Sequence, residues 1–407
     1  MPRIQAQSTW SKDRKARRMI KNLFETLEFI KGEIKGIAQC ELVSLENALG
    51  RVLAQNLSAR KDLPAFDNSA LDGYAFKFSD KNEPLSVKET IFAGDKKDYK
   101  ISANECYKIM TGAKMPLGAD TVLRLEDAEF AGEKLLATRA RQNDGRRVRG
   151  EELKAGVEFL RKGQILGAAQ IMALASQGIY KVQVLRKIRV SVFSSGNEIV
   201  EPWQKADENS IYNANALSIN ALLSSELCEV SYLGIIKDDL GATKEALSNS
   251  CADLLITSGG ASVGDADFMD EALRDLGFLP LFDGIIMRPA KPTKLYKKGE
   301  KLVFILPGNP LSAFLSCFLL GKALVCLLSG AGFEFDFVEA EFKGNLKLKN
   351  ERNNLILGTL SGNSFVANEN LGIMKPFYAT HLLISEFSKS EFKDGEKIKV
   401  LKISANP

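Results

Sequence analysis

The sequence predicts a multidomain protein of the α/β and β classes, built on a central doubly wound parallel sheet. Three observations lead to this class. From residue 184 to residue 329, short apolar runs alternate with helical patterns, and such alternation requires crossover helices over both faces of a parallel sheet. β-like runs separated by Gly, Asp and Lys fill residues 62–142. Residues 330–407 are β-rich and contain no internal repeat.

These changes of pattern also set the predicted domain boundaries. Helical patterns stop at the β-rich insertion and return after it, so one helical linker domain is expected on both sides of the insertion. The predicted segments are a flexible basic arm (1–18), the helical linker domain (19–61 with 143–183), the inserted β-rich domain (62–142), the α/β domain (184–329) and a small C-terminal β-rich domain (330–407).

Composition excludes several classes of protein. The chain has 407 residues, of which 45% are hydrophobic and 26% charged, as in an ordinary globular protein. Its net charge of +4 gives no electrostatic case for a nucleic-acid partner. The most apolar stretch, 311–328, is interrupted by Ser312, Gly321 and Lys322, so a buried core helix is expected and not a membrane span.

The cysteine and histidine content narrows the chemistry further. None of the six cysteines forms a C-x-x-C pair, so we expect reduced core residues of a cytoplasmic protein. The single histidine, His381, argues against a Ser-His-Asp triad and against a histidine-ligated metal. Carboxylates, lysines, arginines and backbone amides must then carry any reaction.

The predicted elements follow from periodicity and from caps. Residues 19–60 are predicted helical, with Ser44 as an N-cap and Gly50 past the end of its helix. The insertion supplies predicted strands at 86–92, 105–110, 121–125 and 134–138, and a helix is predicted at 167–177. In the α/β domain the predicted strands are 188–193, 230–236, 254–257 and 301–306, and the predicted helices are 211–223, 242–248, 267–276 and 311–328.

Polar loops that contain glycine follow three of the predicted parallel strands. They are Ser194-Ser195-Gly196-Asn197-Glu198, Ser258-Gly259-Gly260 and Pro307-Gly308-Asn309-Pro310. Ligands of open α/β sheets bind at the carboxyl ends of the strands. The coincidence of three such loops therefore predicts a ligand site at this edge of the sheet.

The loop after the strand at 254–257 indicates a phosphorylated ligand. It contains Ser258, Gly259, Gly260, Ser262 and Gly264, followed by Asp265 and Asp267. Glycines allow backbone N–H groups to converge on an anion, and carboxylates bind divalent cations. The same pattern also fits a tight turn before an acidic helix start.

Charged residues near the other strand ends extend this prediction. Asp238 follows the strand at 230–236, and Asp238 and Asp267 fit a shared Mg²⁺ ion, although paired surface acids show the same pattern. Arg288 and Lys291 lie on a proline-fixed segment and suit phosphate or another oxyanion, with a solvated charge pair as the alternative.

The loop at 307–312 combines a turn with a helix start. Asn309 fits an N-cap and Pro310 fits the first helical position. Ser312 then lies in the first turn, where its hydroxyl is placed for contact with an oxyanion, unless the segment is a helix cap and nothing more. Two loops of the insertion, at 67–75 and at 111–116, are dense in turn formers, and their residue types assign them no role.

Taken together, the loops resemble the MoeA-type molybdopterin molybdenumtransferases, which are related to the E domain of gephyrin. The matching stretches occur in family order. They are Pro64-Ala65-Phe66-Asp67-Asn68-Ser69-Ala70-Leu71-Asp72-Gly73-Tyr74-Ala75, Met110-Thr111-Gly112-Ala113, Arg149-Gly150-Glu151-Glu152, Ser195-Gly196-Asn197-Glu198, Ser258–Phe268 and Leu306-Pro307-Gly308-Asn309-Pro310-Leu311-Ser312.

The resemblance implies an elongated homodimer of four domains per subunit that inserts molybdate into adenylylated molybdopterin with Mg²⁺ and releases AMP. By position it implies functional carboxylates at Asp72, Glu198, Asp238 and Asp267, with Thr111 and the loop from Pro307 to Pro310. Asp72 is then expected to face the sheet domain of the other subunit. Molybdopterin adenylyltransferase and molybdoenzyme-side proteins are implied partners.

The chain departs from the family pattern at several positions. The family's usual Lys/Arg-Pro-Gly-Lys reads Arg288-Pro289-Ala290-Lys291, and a lysine often found four residues before Arg288 is Gly284. In the tail, Leu355-Ile356-Leu357-Gly358 replaces Phe-x-Arg-Gly, and no Gly-Ser-rich loop is evident near 369–378. By the resemblance, the alanine is expected to shift one backbone contact, and an arginine of the tail helps to hold the oxyanion in relatives.

Two other functions fit parts of the pattern. Molybdopterin adenylyltransferases share the sheet domain and its glycine loop, but generally lack the insertion that carries Asp72-Gly73. A dimeric, non-enzymatic molybdopterin scaffold or carrier also fits, because the tail motifs are altered. The residues do not distinguish molybdate from tungstate, since both are tetrahedral oxyanions of similar size.

Overall fold

The computed structural model describes residues 21–260, 268–368 and 372–403, so the predicted basic arm lies outside the described residues. The chain divides into two compact units. Of the described residues, unit 1 contains those up to Ala54, the segment Gly163–Gly167 and those from Lys181 onwards, and unit 2 contains Gln55–Lys162 and Ala168–Tyr180. The domain boundaries given above stay predictions.

Eight α-helices are found in the part of the chain that the structure describes. They are α1 (Leu23–Glu33), α2 (Ala168–Ser176), α3 (Ala214–Leu223), α4 (Leu240–Asn249), α5 (Phe268–Asp275), α6 (Pro310–Ser316), α7 (Lys322–Leu328) and α8 (Lys375–Tyr378). Short 3₁₀ helices occur at Leu45–Asn47, Phe78–Asp80 and Leu125–Asp127. A π-helical turn, Cys317–Gly321, joins α6 to α7.

The strands, in chain order, are β1 (Cys40–Ser44), β2 (Leu57–Ser58), β3 (Asn68–Ser69), β4 (Gly73–Phe76), β5 (Pro84–Ile91), β6 (Glu105–Ile109), β7 (Thr121–Arg124), β8 (Glu129–Ala131), β9 (Lys134–Leu136), β10 (Arg146–Arg147), β11 (Glu158–Leu160), β12 (Lys181–Leu185), β13 (Ile188–Ser195), β14 (Ile199–Val200), β15 (Ile211–Tyr212), β16 (Cys228–Ile236), β17 (Leu254–Ser258), β18 (Leu279–Asp283), β19 (Met287–Arg288), β20 (Lys294–Lys298), β21 (Lys301–Leu306), β22 (Phe337–Lys343), β23 (Leu346–Lys347), β24 (Asn353–Ser361), β25 (Ser364–Ala367), β26 (His381–Ile384), β27 (Glu391–Phe392) and β28 (Lys397–Lys402).

The central sheet of unit 1 confirms the predicted α/β domain, with one difference. Its strand order is β16-β13-β17-β21-β20-β18. The first four strands are parallel and lie within two residues of their predicted bounds. β20 and β18 are antiparallel additions at one edge, which the sequence did not predict. The sheet is therefore mixed, with a parallel part that carries the predicted strand ends.

Both faces of this sheet are covered by helices. On β17, Leu254 and Ile256 pack into a core with residues of α3, α6 and α7, whereas Leu255 packs into a second core with residues of α4 and α5. Successive side chains of a strand point to opposite faces of the sheet. Because both faces are covered, every position of β17 is buried, and its sequence is a nearly continuous apolar run. The doubly wound prediction is confirmed.

The prediction that residues 19–60 are helical is only partly right. α1 begins at a capping box, in which Asn22 and Glu25 bond each other's backbone N–H groups. Cys40–Ser44 is instead a strand, because it pairs antiparallel with β12, about 140 residues later in the chain. Ser44 makes no side-chain cap, and only a 3₁₀ turn follows it.

The apolar helical stretch Pro310–Leu328 has a mean hydropathy of 2.2 and is long enough to cross a membrane. In this structure 72% of it is buried within the molecule. Its side chains form the centre of the larger core of unit 1. The stretch is therefore built as the core helix that the sequence predicts.

The remaining sheets confirm the β-rich predictions. In the tail, β24, β25, β22, β28 and β26 pair in that order, and β26 also pairs with β24, so this small sheet closes into a barrel. In unit 2, a six-stranded sheet has the order β7-β4-β6-β5-β9-β8. Its strands β5, β6, β7 and β9 are those predicted for the insertion.

Candidate functional site

The parallel strands of unit 1 bring four loops to one edge of the sheet. β16, β13, β17 and β21 are neighbours and run in the same direction. Their carboxyl ends therefore lie side by side, and the loops that follow them begin at Lys237, Gly196, Gly259 and Pro307. This is the edge at which ligands of such sheets bind.

A hydrogen bond joins the first two of these loops. Ser195 Oγ donates to Asp238 Oδ1 at 2.6 Å, and Asp238 N lies 3.4 Å from Asn197 Oδ1. The carboxylate of Asp238 is half-buried and has one oxygen fixed by the hydroxyl. Glu198, in the same loop, is exposed, and its carbonyl oxygen accepts from Ile211 N at 2.9 Å.

Glycines allow the next loops to approach. Gly259 has φ +100°, and a Cβ atom on it would lie 2.3 Å from the carbonyl oxygen of Ser195. Its N–H donates to Leu306 O at 3.2 Å. A Cβ atom on Gly308 would lie 4.0 Å from Gly259 Cα. The four loops thus touch in sheet order, and we refer to Asp238, Ser195, Gly259 and Gly308 as the strand-end row.

Two further glycines adopt conformations that side chains disfavour. Gly260 has φ +68° and directly follows Gly259. Gly196 has φ +152°, and a Cβ atom on it would lie 2.8 Å from Ile199 Cδ1. Successive residues of this kind turn backbone N–H groups toward one point, as anion-binding loops do.

A buried hydrogen-bond network connects side chains next to the strand-end row. Ser194 Oγ donates to Asn213 Oδ1 at 3.0 Å and lies 3.2 Å from Ser258 Oγ. Asn213 Nδ2 donates to Tyr232 OH at 2.7 Å, and that hydroxyl donates to Glu201 Oε1. Burial, together with the bond to Glu201, raises the pKa of Tyr232 well above its usual value, so the hydroxyl remains a donor.

This network was not predicted from the sequence. Asn213 was placed inside a predicted helix, but it is the N-cap of α3, and its side chain accepts from Ala216 N. The short polar run Asn213-Ala214-Asn215 before an apolar periodic segment is itself an N-cap signal. Tyr232 gave no signal, because it lies in the middle of a strand.

The loop after β21 is capped as predicted. Asn309 Oδ1 accepts from Ser312 N at 3.2 Å, and Pro310 is the first residue of α6. Ser312 is buried, and its hydroxyl lies 3.3 Å from the same Asn309 oxygen. The hydroxyl thus serves the cap in this structure, and its contact with an oxyanion stays a prediction.

The segment from Arg288 to Lys291 holds two exposed cations on a fixed backbone. Ala290 has φ +85°, a conformation that favours glycine, and its carbonyl oxygen accepts from Thr293 Oγ1 at 2.8 Å. Lys291 O accepts from Ile285 N at 2.9 Å. Within the described residues neither cation forms an ion pair, so both are available for an anion.

Part of the predicted site lies outside the described residues. This part contains Ser262, Gly264, Asp265 and Asp267, and with them the second predicted magnesium ligand. Among the residues that are described, no cluster of three His, Cys, Asp or Glu side chains is suited to hold a metal ion. Asp238 is the one predicted metal ligand whose surroundings are known.

In unit 2 the structure joins two loops that the residue types left without a role. Thr111 N and Thr111 Oγ1 both donate to Asp72 Oδ1, at 2.6 and 2.7 Å. These two hydrogen bonds hold the pKa of Asp72 below its usual value, although the carboxyl group is exposed. Asp72 therefore stays ionised at neutral pH.

Glycines also fix this pair of loops. A Cβ atom on Gly73 would lie 2.0 Å from Leu123 O, so only glycine fits directly after Asp72. Gly112, after Thr111, has φ +80°. Nearby, Asp67 Oδ1 accepts from Arg149 N at 2.7 Å. This bond connects the matching stretch that begins at Arg149 to the stretch that contains Asp67 and Asp72.

Comparison with known proteins gives one consistent result. The MoeA N-terminal region (domain I and II) matches residues 15–178, and a probable molybdopterin binding domain matches residues 191–324. A molybdopterin molybdenumtransferase of Haemophilus influenzae is 35% identical over 298 residues, which are 72% of this chain and 74% of the relative. One of a Nostoc species is 31% identical over 335 residues, 79% of this chain and 77% of the relative.

Solved structures agree over nearly the whole chain. A crystal structure of the molybdopterin biosynthesis MoeA protein from Pyrococcus horikoshii aligns with a TM-score of 0.83 at 25% identity, covering 94% of this chain and 100% of that one. Another crystal structure of a molybdopterin biosynthesis MoeA protein from Pyrococcus horikoshii aligns with a TM-score of 0.79 at 27% identity, covering 94% of this chain and 99% of that one.

Proposed function

The chain belongs to the MoeA family of molybdopterin molybdenumtransferases, and we propose that it inserts molybdate into adenylylated molybdopterin in a magnesium-dependent reaction that releases AMP. Family membership makes the protein a transferase of molybdenum cofactor biosynthesis that inserts molybdenum. The magnesium ion, the adenylylated substrate and AMP are the finer part of the proposal. The strand-end row supports them, because it places a carboxylate beside a glycine-lined backbone.

The glycine-lined part of the row suits the phosphates of the substrate. At Gly259 and Gly260 the backbone has positive φ angles, and at Gly259 the close approach to Ser195 O leaves no room for a side chain. Backbone N–H groups in such a turn bind phosphate oxygens without side-chain interference. We assign molybdopterin phosphate to this loop, with Ser258 at its start and Ser195 opposite.

The chemistry of Asp238 fits magnesium. Mg²⁺ prefers oxygen ligands and commonly uses one or two carboxylates together with substrate phosphates. Asp238 supplies a carboxylate whose orientation Ser195 Oγ fixes, and Asp267 is the second proposed ligand. A bound Mg²⁺ ion would neutralise phosphate charge as the anhydride is cleaved.

Two exposed cations suit the other anionic groups of the substrates. Arg288 and Lys291 lie three residues apart on a backbone that hydrogen bonds through Ala290 O and Lys291 O hold in place. Arg binds an oxyanion with two parallel donors, and Lys acts as a point charge. We propose that these residues, with the loop from Pro307 to Ser312, hold anionic groups of the substrates.

Asp72, Thr111 and Glu198 complete the proposed catalytic groups. Thr111 keeps the Asp72 carboxylate ionised and fixed. Glu198 lies in the loop that follows β13 and is exposed to solvent. We propose that these carboxylates act on the reacting substrates, with Thr111 as the residue that positions Asp72.

We further propose a cytoplasmic homodimer that receives its substrate from a molybdopterin adenylyltransferase. The described cysteines are all free of disulfides, which supports a reducing compartment. The choice between molybdate and tungstate belongs to the same proposal, and a direct comparison of both oxyanions in the transfer assay decides it.

A transfer assay on the purified protein tests the proposed reaction. Adenylylated molybdopterin is supplied with Mg²⁺ and molybdate, and AMP and molybdenum cofactor are quantified. We expect AMP only when both Mg²⁺ and molybdate are present. Equal AMP release after magnesium is removed by chelation would contradict the magnesium part, and release without cofactor formation would contradict the insertion step.

A further inference from the structure

Asn215 extends the strand-end row beyond Gly308. It lies in the first turn of α3, and its Nδ2 donates to Gly308 O at 2.9 Å. The residue is only 7% exposed. Its Oδ1 is buried and has no hydrogen-bond partner among the described residues. The amide therefore has one satisfied end, on Gly308 of the strand-end row, and one unsatisfied, buried end.

An unsatisfied acceptor at this position needs a reason. More than nine in ten buried polar groups of proteins have a partner, and leaving one without a partner is costly. Rotating the amide by 180° offers no remedy, because it would place Oδ1 against Gly308 O. The donor that satisfies Asn215 Oδ1 is therefore expected to come from outside the described residues.

The position of Asn215 indicates the kind of donor. The row begins at Asp238, passes Ser195, Gly259 and Gly308, and ends at Asn215. At its first end, the carboxylate of Asp238 suits a divalent cation that is bound together with phosphate groups. Its last end offers a neutral amide oxygen, which suits an uncharged N–H group. A ligand with phosphate at one end and an N–H-bearing ring at the other matches both ends.

We propose that Asn215 is a further binding residue of this site, whose Oδ1 accepts a hydrogen bond from the 2-amino group of the pterin. This assignment rests on the proposed function, which supplies the pterin. It orients the ligand along the row, with its ring at α3 and its phosphate toward Asp238. Asn215 then selects the amino-bearing ring over rings that lack this donor.

Calorimetric titration with two small ligands tests the assignment. The first is 6-hydroxymethylpterin phosphate, and the second is the matching lumazine, in which oxygen replaces the 2-amino donor. They are titrated into the wild type, into Asn215→Leu and into the control Asn220→Leu, which makes the same change on the same helix. We expect the wild type and the control to bind the pterin about three- to tenfold more tightly than the lumazine.

The ratio of the two affinities separates recognition from support of the loop. In Asn215→Leu we expect the preference for the pterin to vanish. If Asn215 only held Gly308 in place, both ligands would weaken by the same factor and the ratio would persist, which would overturn the inference. If the wild type bound molybdopterin and transferred molybdenum but never preferred the pterin, the inference would fail alone. Failure of the wild type to bind molybdopterin would remove the proposed function as well.

Discussion

At the scale of single residues, Ala290 shows how a departure from the family pattern is accommodated. Its φ of +85° is the conformation of a glycine, and it is buried. The bond from Thr293 Oγ1 to Ala290 O holds this conformation, and Thr293 in turn contacts Ser316 Oγ of α6 at 2.7 Å. The left-handed region costs an alanine about 1 kcal/mol. The backbone between Arg288 and Lys291 therefore keeps this conformation at a cost to the stability of the fold.

Replacing Ala290 by glycine relieves this strain of about 1 kcal/mol but also removes a buried methyl group, so the two effects are expected to offset and leave the stability nearly unchanged. The midpoint of guanidinium unfolding measures the effect. The control Ala272→Gly removes a buried methyl group inside α5 and should lower stability by about 1 kcal/mol or more. A midpoint for Ala290→Gly that falls as far as that of Ala272→Gly would contradict the account.

Asp72 illustrates an exposed carboxyl group whose pKa is lowered by its hydrogen-bond partner. The two hydrogen bonds from Thr111 lower its pKa in the folded protein. Since the folded pKa is depressed, the stabilising contribution is present above the unfolded value of about 3.9 and is lost as the pH falls through the folded value. At neutral pH the carboxylate is fully ionised.

Thr111→Val removes the side-chain donor and leaves the backbone donor. We expect the pKa of Asp72 to rise toward its ordinary value without reaching it. NMR titration of the side-chain carboxyl carbons measures the shift. Asp67 serves as an internal reference, because its lowered pKa depends on Arg149 and Arg146. A pKa of Asp72 unchanged by the substitution would show that Thr111 does not set it.

At the scale of elements, a buried polar network fixes the strand ends to one another. Asn213 begins α3, Ser194 and Ser258 end β13 and β17, and Tyr232 lies on β16. Their hydrogen bonds connect four elements just below the strand-end row. The loops that bind the ligand are therefore held by buried side chains.

Tyr232→Phe is expected to destabilise the protein by about 1–3 kcal/mol, because Asn213 Nδ2 and Glu201 Oε1 both lose a buried partner. The control Tyr212→Phe removes an exposed hydroxyl and should change stability by less than about 0.5 kcal/mol. Chemical denaturation measures both variants. Equal stabilities would show that the network does not support the sheet.

Periodicity predicted the elements whose hydrogen bonds are local or whose strands are fully buried. β13, β16, β17 and β21 were placed correctly on this basis. β1 was missed because its partner, β12, lies far away in the chain, and β20 was missed because Lys294-Leu295-Tyr296-Lys297-Lys298 has no apolar run. The glycine loops were found from residue types, whereas Asn215 and Tyr232 matter only through contacts that need the fold.

At the scale of the whole molecule, the chain is built from one unit with the strand-end row and one unit with the Asp72–Thr111 pair. Each unit holds residues that the resemblance implies for one reaction. The homodimer is the proposed assembly in which those residues serve that reaction.

Sedimentation equilibrium over a range of protein concentrations tests this assembly. For the proposed homodimer we expect a single species of about twice the chain mass of 44.7 kDa, because an obligate homodimer buries a large apolar interface. A species of the mass of one chain throughout, with full transfer activity, would contradict the proposed homodimer.

The central claim is that the strand-end row is where molybdenum transfer occurs. Molybdenum cofactor formation by Asp238→Asn tests it most directly, beside the control Glu229→Gln at the other end of the same strand. We predict a loss of at least a hundredfold for Asp238→Asn, with molybdopterin still bound and the control fully active. Full cofactor formation by Asp238→Asn at limiting magnesium would contradict the account.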